Sequence, residues 1–244
     1  FTDMNWMKKV AVAIVCLLPL DLQAAKVDTL QVKSPSMNKS IEVVVVSPDV
    51  AATKACPVIY LLHGYGGNTR TWVGIKPDLP KIADEKGIFF VCPDGKNTWY
   101  WDSPLNADVR YETFISNELV KYVDSHYKTV ADRKGRAITG LSMGGHGAMW
   151  NGLRHSDVFS AAGSTSGGVD IRPFPKNWEM SVQIGEKAKY PENWEKYTVI
   201  NLVPTLRKDQ IALIFDCGDS DFFLEVNKNY HEALLKQGID HDFI

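Results

Sequence analysis

The chain has 244 residues, 45% of them hydrophobic and 23% charged, and its 27 Lys and Arg against 29 Asp and Glu give a net charge of -2. This is the balance of an ordinary globular protein, long enough for one large domain. It carries no basic footprint for nucleic acid and no polybasic membrane segment, so neither partner is expected.

Phe1, Thr2 and Asp3 precede the first methionine, Met4, and read as non-native residues. Lys8 and Lys9 lead into an apolar stretch over 10–20, followed by Ala24 and Ala25. That is the pattern of a secretory signal peptide over residues 1–25, cut after Ala24 or Ala25. The stretch of eleven residues is shorter than the about 20 that span a bilayer. The expectation is export, to the periplasm or outside the cell, with no stable membrane anchor. Residues 26–244 then form one domain. It holds Cys56, Cys92 and Cys217, an odd set that leaves at least one free thiol, each beside an apolar run where cysteine behaves as a small buried hydrophobe. No spacing suggests a metal site, and no metal or organic cofactor is implied.

Residues 27–32 and 41–46 read as an opening antiparallel pair, punctuated by Ser-Pro at 34–35 and 47–48. An apolar strand over 57–62 runs into His63-Gly64-Tyr65-Gly66-Gly67. A short helix over 78–86 stops at Gly87, a strand over 88–91 follows, and then the aromatic loop Trp99-Tyr100-Trp101-Asp102-Ser103-Pro104. Over 112–127 the spacing predicts a helix with Ile115, Leu119, Tyr122, Val123 and His126 on one face. Residues 137–139 are a strand meeting Gly140-Leu141-Ser142-Met143-Gly144, and a helical pattern begins at once. Strands follow over 159–162 and 211–215, separated by the loop-rich stretch 164–210. A helix begins near Phe223 and closes at Gly238, and a last strand starts at His241. Alternating short strands and amphipathic helices predict an α/β fold with a mostly parallel central sheet and helices on both faces. In such a sheet ligands bind at the C-terminal strand ends, so the glycine loop, the aromatic loop, Ser142 and the loop after 215 should share one rim.

Acyl transfer by a serine needs a nucleophile, a base, an acid that orients the base, and donors for the oxyanion. Ser142 stands at the apex of a strand–turn–helix elbow, and the Met143 backbone N–H opens the helix beside it. A second donor belongs to the 63–67 loop, for which the Tyr65 N–H is the choice. In this fold class the acid follows a later strand, which leaves Asp216, Asp219 and Asp221. Asp221 sits furthest out in the loop and is preferred, although Ser220 or Asp221 would also serve as helix N-cap.

Leu61-Leu62-His63-Gly64-Tyr65-Gly66-Gly67 with Trp72, Trp99-Tyr100-x-Asp102-Ser103-Pro104, Gly140-Leu141-Ser142-Met143-Gly144-Gly145 and Asp216-Cys217-Gly218-x-x-Asp221 together resemble the Putative esterase family. That family includes esterase D (S-formylglutathione hydrolase), tributyrin esterases, and the feruloyl and acetyl xylan esterases of carbohydrate esterase family one. The resemblance covers roughly residues 40–244. It implies an α/β-hydrolase fold, Ser142 as nucleophile, Asp221 as acid, and Tyr65 and Met143 as oxyanion donors. It also implies a catalytic histidine in a Gly-Gly-His-type motif after the last strand, which falls beyond Ile244. The domain is therefore expected to lack its C-terminal part, and the 244-residue chain to be nearly inactive. Among the histidines present, His241 is the best substitute, but it begins the last strand, about 15 Å from the rim at about 3.3 Å per residue.

His63, Gly64, Trp72, Trp99 and Trp101 are taken as substrate-binding, the tryptophans and Tyr65 either stacking on a sugar or feruloyl ring or packing the rim. The expected activity is that of a secreted serine carboxylesterase on short-chain acyl, acetyl or feruloyl esters of small molecules or plant polysaccharide. An acyltransferase with the same residues, or a non-catalytic carbohydrate-binding relative, are the alternatives.

Overall fold

The run Val43-Val44-Val45-Val46 is buried on both sides, as a strand needs when it has neighbours on both edges and layers on both faces. It lies in β2 (Lys39–Ser47), which pairs antiparallel with β1 (Lys26–Ser34) and with β4 (Phe89–Pro93). The computed structural model describes residues 25–244; the expected signal peptide lies outside them, apart from Ala25. The remaining strands are β3 (Val58–Leu62), β5 (Arg136–Gly140), β6 (Ala161–Thr165), β7 (Ala212–Asp216) and β8 (Asp242–Phe243). They form one eight-stranded sheet in the order β1-β2-β4-β3-β5-β6-β7-β8, parallel from β4 onward.

The opening hairpin turns at Asn38, whose φ of 48° suits asparagine and closes on the Pro35 carbonyl. The helix Leu79–Lys86 ends at Gly87 in the left-handed region (φ 65°), as its sequence required. The long helix is three consecutive pieces: Tyr111–Thr113, a wider π-type turn Phe114–Leu119, and Val120–His126. Ile115, Leu119 and Val123 are buried as expected. His126 is not: it is exposed at the helix's last residue and stacks on Tyr122.

Alternating residues of the central strands feed two hydrophobic layers. Val43, Val45, Tyr60, Leu62, Val91 and Ile138 face the larger one, beneath the helix Met143–Arg154. Val44, Val46, Leu61, Phe90 and Cys92 face a smaller one under Leu79 and Ala83. The smaller layer stops at β3. Further along the same face, Ile214 of β7 is 49% exposed. Cys56, Cys92 and Cys217 are all buried and free.

Candidate active site

Ser142 occupies the apex between β5 and the helix Met143–Arg154 with φ 54° and ψ -115°, a conformation that a side-chain-bearing residue adopts only when its surroundings hold it there. Three hydrogen bonds do so. The Ser142 N–H donates to the Thr165 carbonyl at 2.9 Å, and the Ser142 carbonyl accepts from the N–H of His146 (3.0 Å) and of Gly168 (3.4 Å). The flanking glycines allow the crossing. A Cβ on Gly144 would overlap the Leu62 carbonyl, and one on Gly140 the Gly144 backbone.

The loop after β3 lies directly against this apex. A Cβ on Gly64 would come 2.8 Å from Leu141 Cδ1 and 3.5 Å from Ser142 Cβ. Residues 64–67 make a turn closed by the Gly67 N–H on the Gly64 carbonyl (3.0 Å), with Gly66 at φ 75°, the left-handed third position of a type II turn. The backbone N–H groups of Tyr65 and Met143 have no hydrogen-bond partner among the described residues. The Met143 N–H is moreover at a helix N-terminus, where the aligned peptide dipoles favour negative charge.

Of the carboxylates after β7, Asp216 ends the strand and accepts from the Thr165 hydroxyl at 3.1 Å, and Asp219 is exposed. Asp221 is half-buried. Its Oδ1 accepts the Phe223 N–H at 2.8 Å, just ahead of the helix Leu224–Gln237, and its Oδ2 has no partner among the described residues. One oxygen therefore serves the turn and the other remains available.

The substrate-binding expectations need correction. His63 is only 1% exposed, with its Nε2 accepting the Gly95 N–H (2.9 Å) and its Nδ1–H donating to the Gly64 carbonyl (2.7 Å). Held at both nitrogens, the ring braces the turn instead of facing a ligand. Gly64 is buried against the elbow. Trp99 and Trp101 do not line the rim: both are buried, stacked 5.8 Å apart, with Trp99 Nε1–H donating to the Trp178 carbonyl at 3.0 Å. Positive φ values at Trp99 (57°) and Tyr100 (59°) accompany this inward fold of the loop. The Tyr100 hydroxyl then reaches the His63 carbonyl at 2.9 Å. Trp72 is half-buried and donates its Nε1–H to the Leu62 carbonyl at 3.0 Å. Tyr65, at 39%, is the aromatic that stays exposed at the rim of this loop.

None of the six histidines hydrogen-bonds the Ser142 hydroxyl. His155 donates to Glu112 at 2.8 Å, and His231 and His241 bond each other at 2.7 Å. His241 lines a cleft of about 630 Å³ with Arg133, Ser160 and Ile211, at the strands' N-terminal ends, opposite Ser142. Among the described residues no three His, Cys, Asp or Glu side chains converge to hold a metal ion.

His146 lies under the elbow, wholly buried among Trp99, Trp101 and Trp150, with Nδ1–H on the Gly168 carbonyl at 3.0 Å and Nε2 unpaired among the described residues. Burial outweighs the Gly168 bond and lowers its pKa from 6.5 to about 4. Between those values the unfolded chain binds a proton that the folded chain does not. Stability is thus fully present above pH 6.5 and falls as pH drops toward 4, by about 3 kcal/mol. Urea unfolding at stepped pH checks this, and His146→Phe is expected to flatten that part of the profile.

Residues 34–237 match the model of the family described as Putative esterase. The chain belongs to this family. It is similar to an acetyl esterase of Caldicellulosiruptor saccharolyticus, 26% identical over 75% of this chain and 72% of that one. A Mycobacterium tuberculosis esterase is 29% identical over 87% of this chain, which spans about half (52%) of that longer protein. Among solved structures, a ferulic acid esterase superposes with a TM-score of 0.74 at 29% identity, covering 91% of this chain and 90% of its own. The sheet and its helices are an α/β-hydrolase fold, and ester hydrolysis is the activity this membership supports.

Two further residues at the site were missed from sequence. Asn97 Oδ1 accepts the Gly66 N–H at 2.9 Å, and Asn97 Nδ2–H donates to Glu179 Oε2 at 3.1 Å. No local pattern marks them, because the second bond joins residues 82 apart.

Proposed function

We propose that the protein is an exported serine carboxylic-ester hydrolase that works through an acyl-enzyme on Ser142. The Ser142 Oγ attacks the ester carbonyl, and the oxyanion is met by the N–H groups of Tyr65 and Met143. Asp221 orients the catalytic histidine that the family resemblance implies, a role in which no described histidine meets Ser142. That histidine takes the serine proton, passes it to the leaving alcohol, and then activates the water that releases the acid. The observation that carries this reading is the strained Ser142 apex with the 64–67 turn packed against it, the N–H groups of Tyr65 and Met143 having no partner among the described residues. The similarity to an acetyl esterase and a ferulic acid esterase supports acetyl, other short-chain acyl and feruloyl groups as the acyl part, with plant polysaccharide as one carrier. The charged and apolar stretch before Ala25 supports export.

The full-length gene product, assayed on nitrophenyl esters of increasing chain length and on methyl ferulate, with and without an oligosaccharide acceptor, tests this. Free acid should form whether or not the acceptor is present. Acyl transfer to the sugar would instead make the protein a transferase, and absence of turnover would remove the enzymatic reading.

A further inference from the structure

The Tyr65–Gly66 tip of the oxyanion turn is thinly supported by packing. Tyr65 is exposed, and no atom lies within 4 Å of where a Cβ on Gly66 would stand. Its two ends are fixed, by the Gly67–Gly64 bond and by His63 on the Gly64 carbonyl. The tip itself is held by polar bonds from outside. The Gly66 N–H donates to Asn97, which follows β4, and Asn97 donates in turn to Glu179. The Glu179 carboxylate lies near the Tyr65 hydroxyl, and desolvation, then that carboxylate, raise the Tyr65 pKa. Glu179 and its neighbour Trp178 both hold positive φ values, 54° and 48°, so this short stretch is kept in a strained path.

We propose that Asn97 and Glu179 are positioning residues for the oxyanion donor at Tyr65, tying residues 178–179 to the turn that stabilises the transition state. The type II form depends on the orientation of the central Tyr65–Gly66 peptide, and Asn97 Oδ1 can accept the Gly66 N–H only in that orientation. The Tyr65 N–H belongs to the preceding Gly64–Tyr65 peptide, which the bonds to its carbonyl hold on one side only; without Asn97 the Tyr65–Gly66 peptide can rotate, and the Tyr65 backbone loses its restraint on the other side. An oxyanion donor acts through a geometry set before the reaction, so a loosened turn lowers kcat more than it alters substrate affinity. The two residues act in series, Glu179 by holding Asn97, and their effects are not independent.

The role rests on the esterase reading, so the test has one arm that needs no activity. Hydrogen exchange of the peptide covering residues 63–70 in the full-length protein should be about tenfold faster in Asn97→Ala, with the Tm little changed. In the kinetic arm Asn97→Ala should lower kcat about tenfold with KM within about twofold. Glu179→Ala should do so less, Glu179→Gln should restore most of the loss because its amide oxygen still accepts from Asn97, and the double alanine variant should match Asn97→Ala alone. Unchanged exchange and kcat in Asn97→Ala, or losses that multiply in the double variant, would overturn the proposal. If the wild type hydrolyses no ester, the esterase reading fails and the exchange arm alone decides the role of the pair.

Discussion

Ser142→Ala in the full-length protein is expected to lower kcat/KM for nitrophenyl acetate by about 10⁴-fold or more, leaving only what oxyanion donors and binding contribute over water. The substitution removes one oxygen that makes no hydrogen bond to any described residue. Its Cβ stays, and an alanine at φ 54° is about as strained as the serine, so the three backbone bonds at the apex remain. Folding should therefore be untouched, with a thermal midpoint within a few degrees of wild type. A loss of activity with unaltered Tm separates a nucleophile from a residue that merely shapes the turn. Retention of more than about a tenth of the activity would assign the chemistry elsewhere.

Glu112→Ala should be the most damaging change to stability among those considered. Glu112 is buried, and its two oxygens accept from Trp150 Nε1, Arg154 Nε and His155 Nε2, each at 2.8 Å. Desolvation opposes the charge, but His155, Arg154 and Trp150 together hold its pKa below the usual glutamate value. Removing the carboxylate leaves three donors without an acceptor. Breaking a buried, hydrogen-bonded charge cluster costs about 3–5 kcal/mol, which for a chain of this size is a fall in Tm of about 10 °C. Glu112→Gln, which keeps two polar ends of the same shape, should lose less. Thermal and urea unfolding of both variants checks this. The elbow helix carries Trp150 and Arg154, so partial loss of esterase activity should accompany unfolding of that helix and not precede it.

The elbow could be read from sequence because its chemistry and its backbone demand coincide within five residues. Gly140 and Gly144 are the positions where a Cβ would collide, and Ser142 is the residue between them. The strands were legible for a similar reason, since runs such as Val43–Val46 are buried on both faces and carry no polar interruption. The aromatic loop misled. Tryptophans after a strand end suggest a rim, yet positive φ at two successive residues folds Trp99 and Trp101 inward onto His146. His63 misled likewise, because the bond that turns its Nε2 inward comes from Gly95, in a loop 32 residues away. The Glu112 cluster and the Asn97–Glu179 link are also built across long separations, where spacing carries no signal.

The most direct measurement is to treat the full-length protein with a fluorophosphonate ester and locate the adduct by intact mass and peptide mapping. A serine activated by a base at an oxyanion site reacts covalently with such a reagent, and an ordinary turn serine does not. A single adduct on the peptide containing Ser142, lost in Ser142→Ala, is the predicted result. An adduct on any other residue, or ester turnover by a protein that leaves Ser142 unmodified, would contradict it.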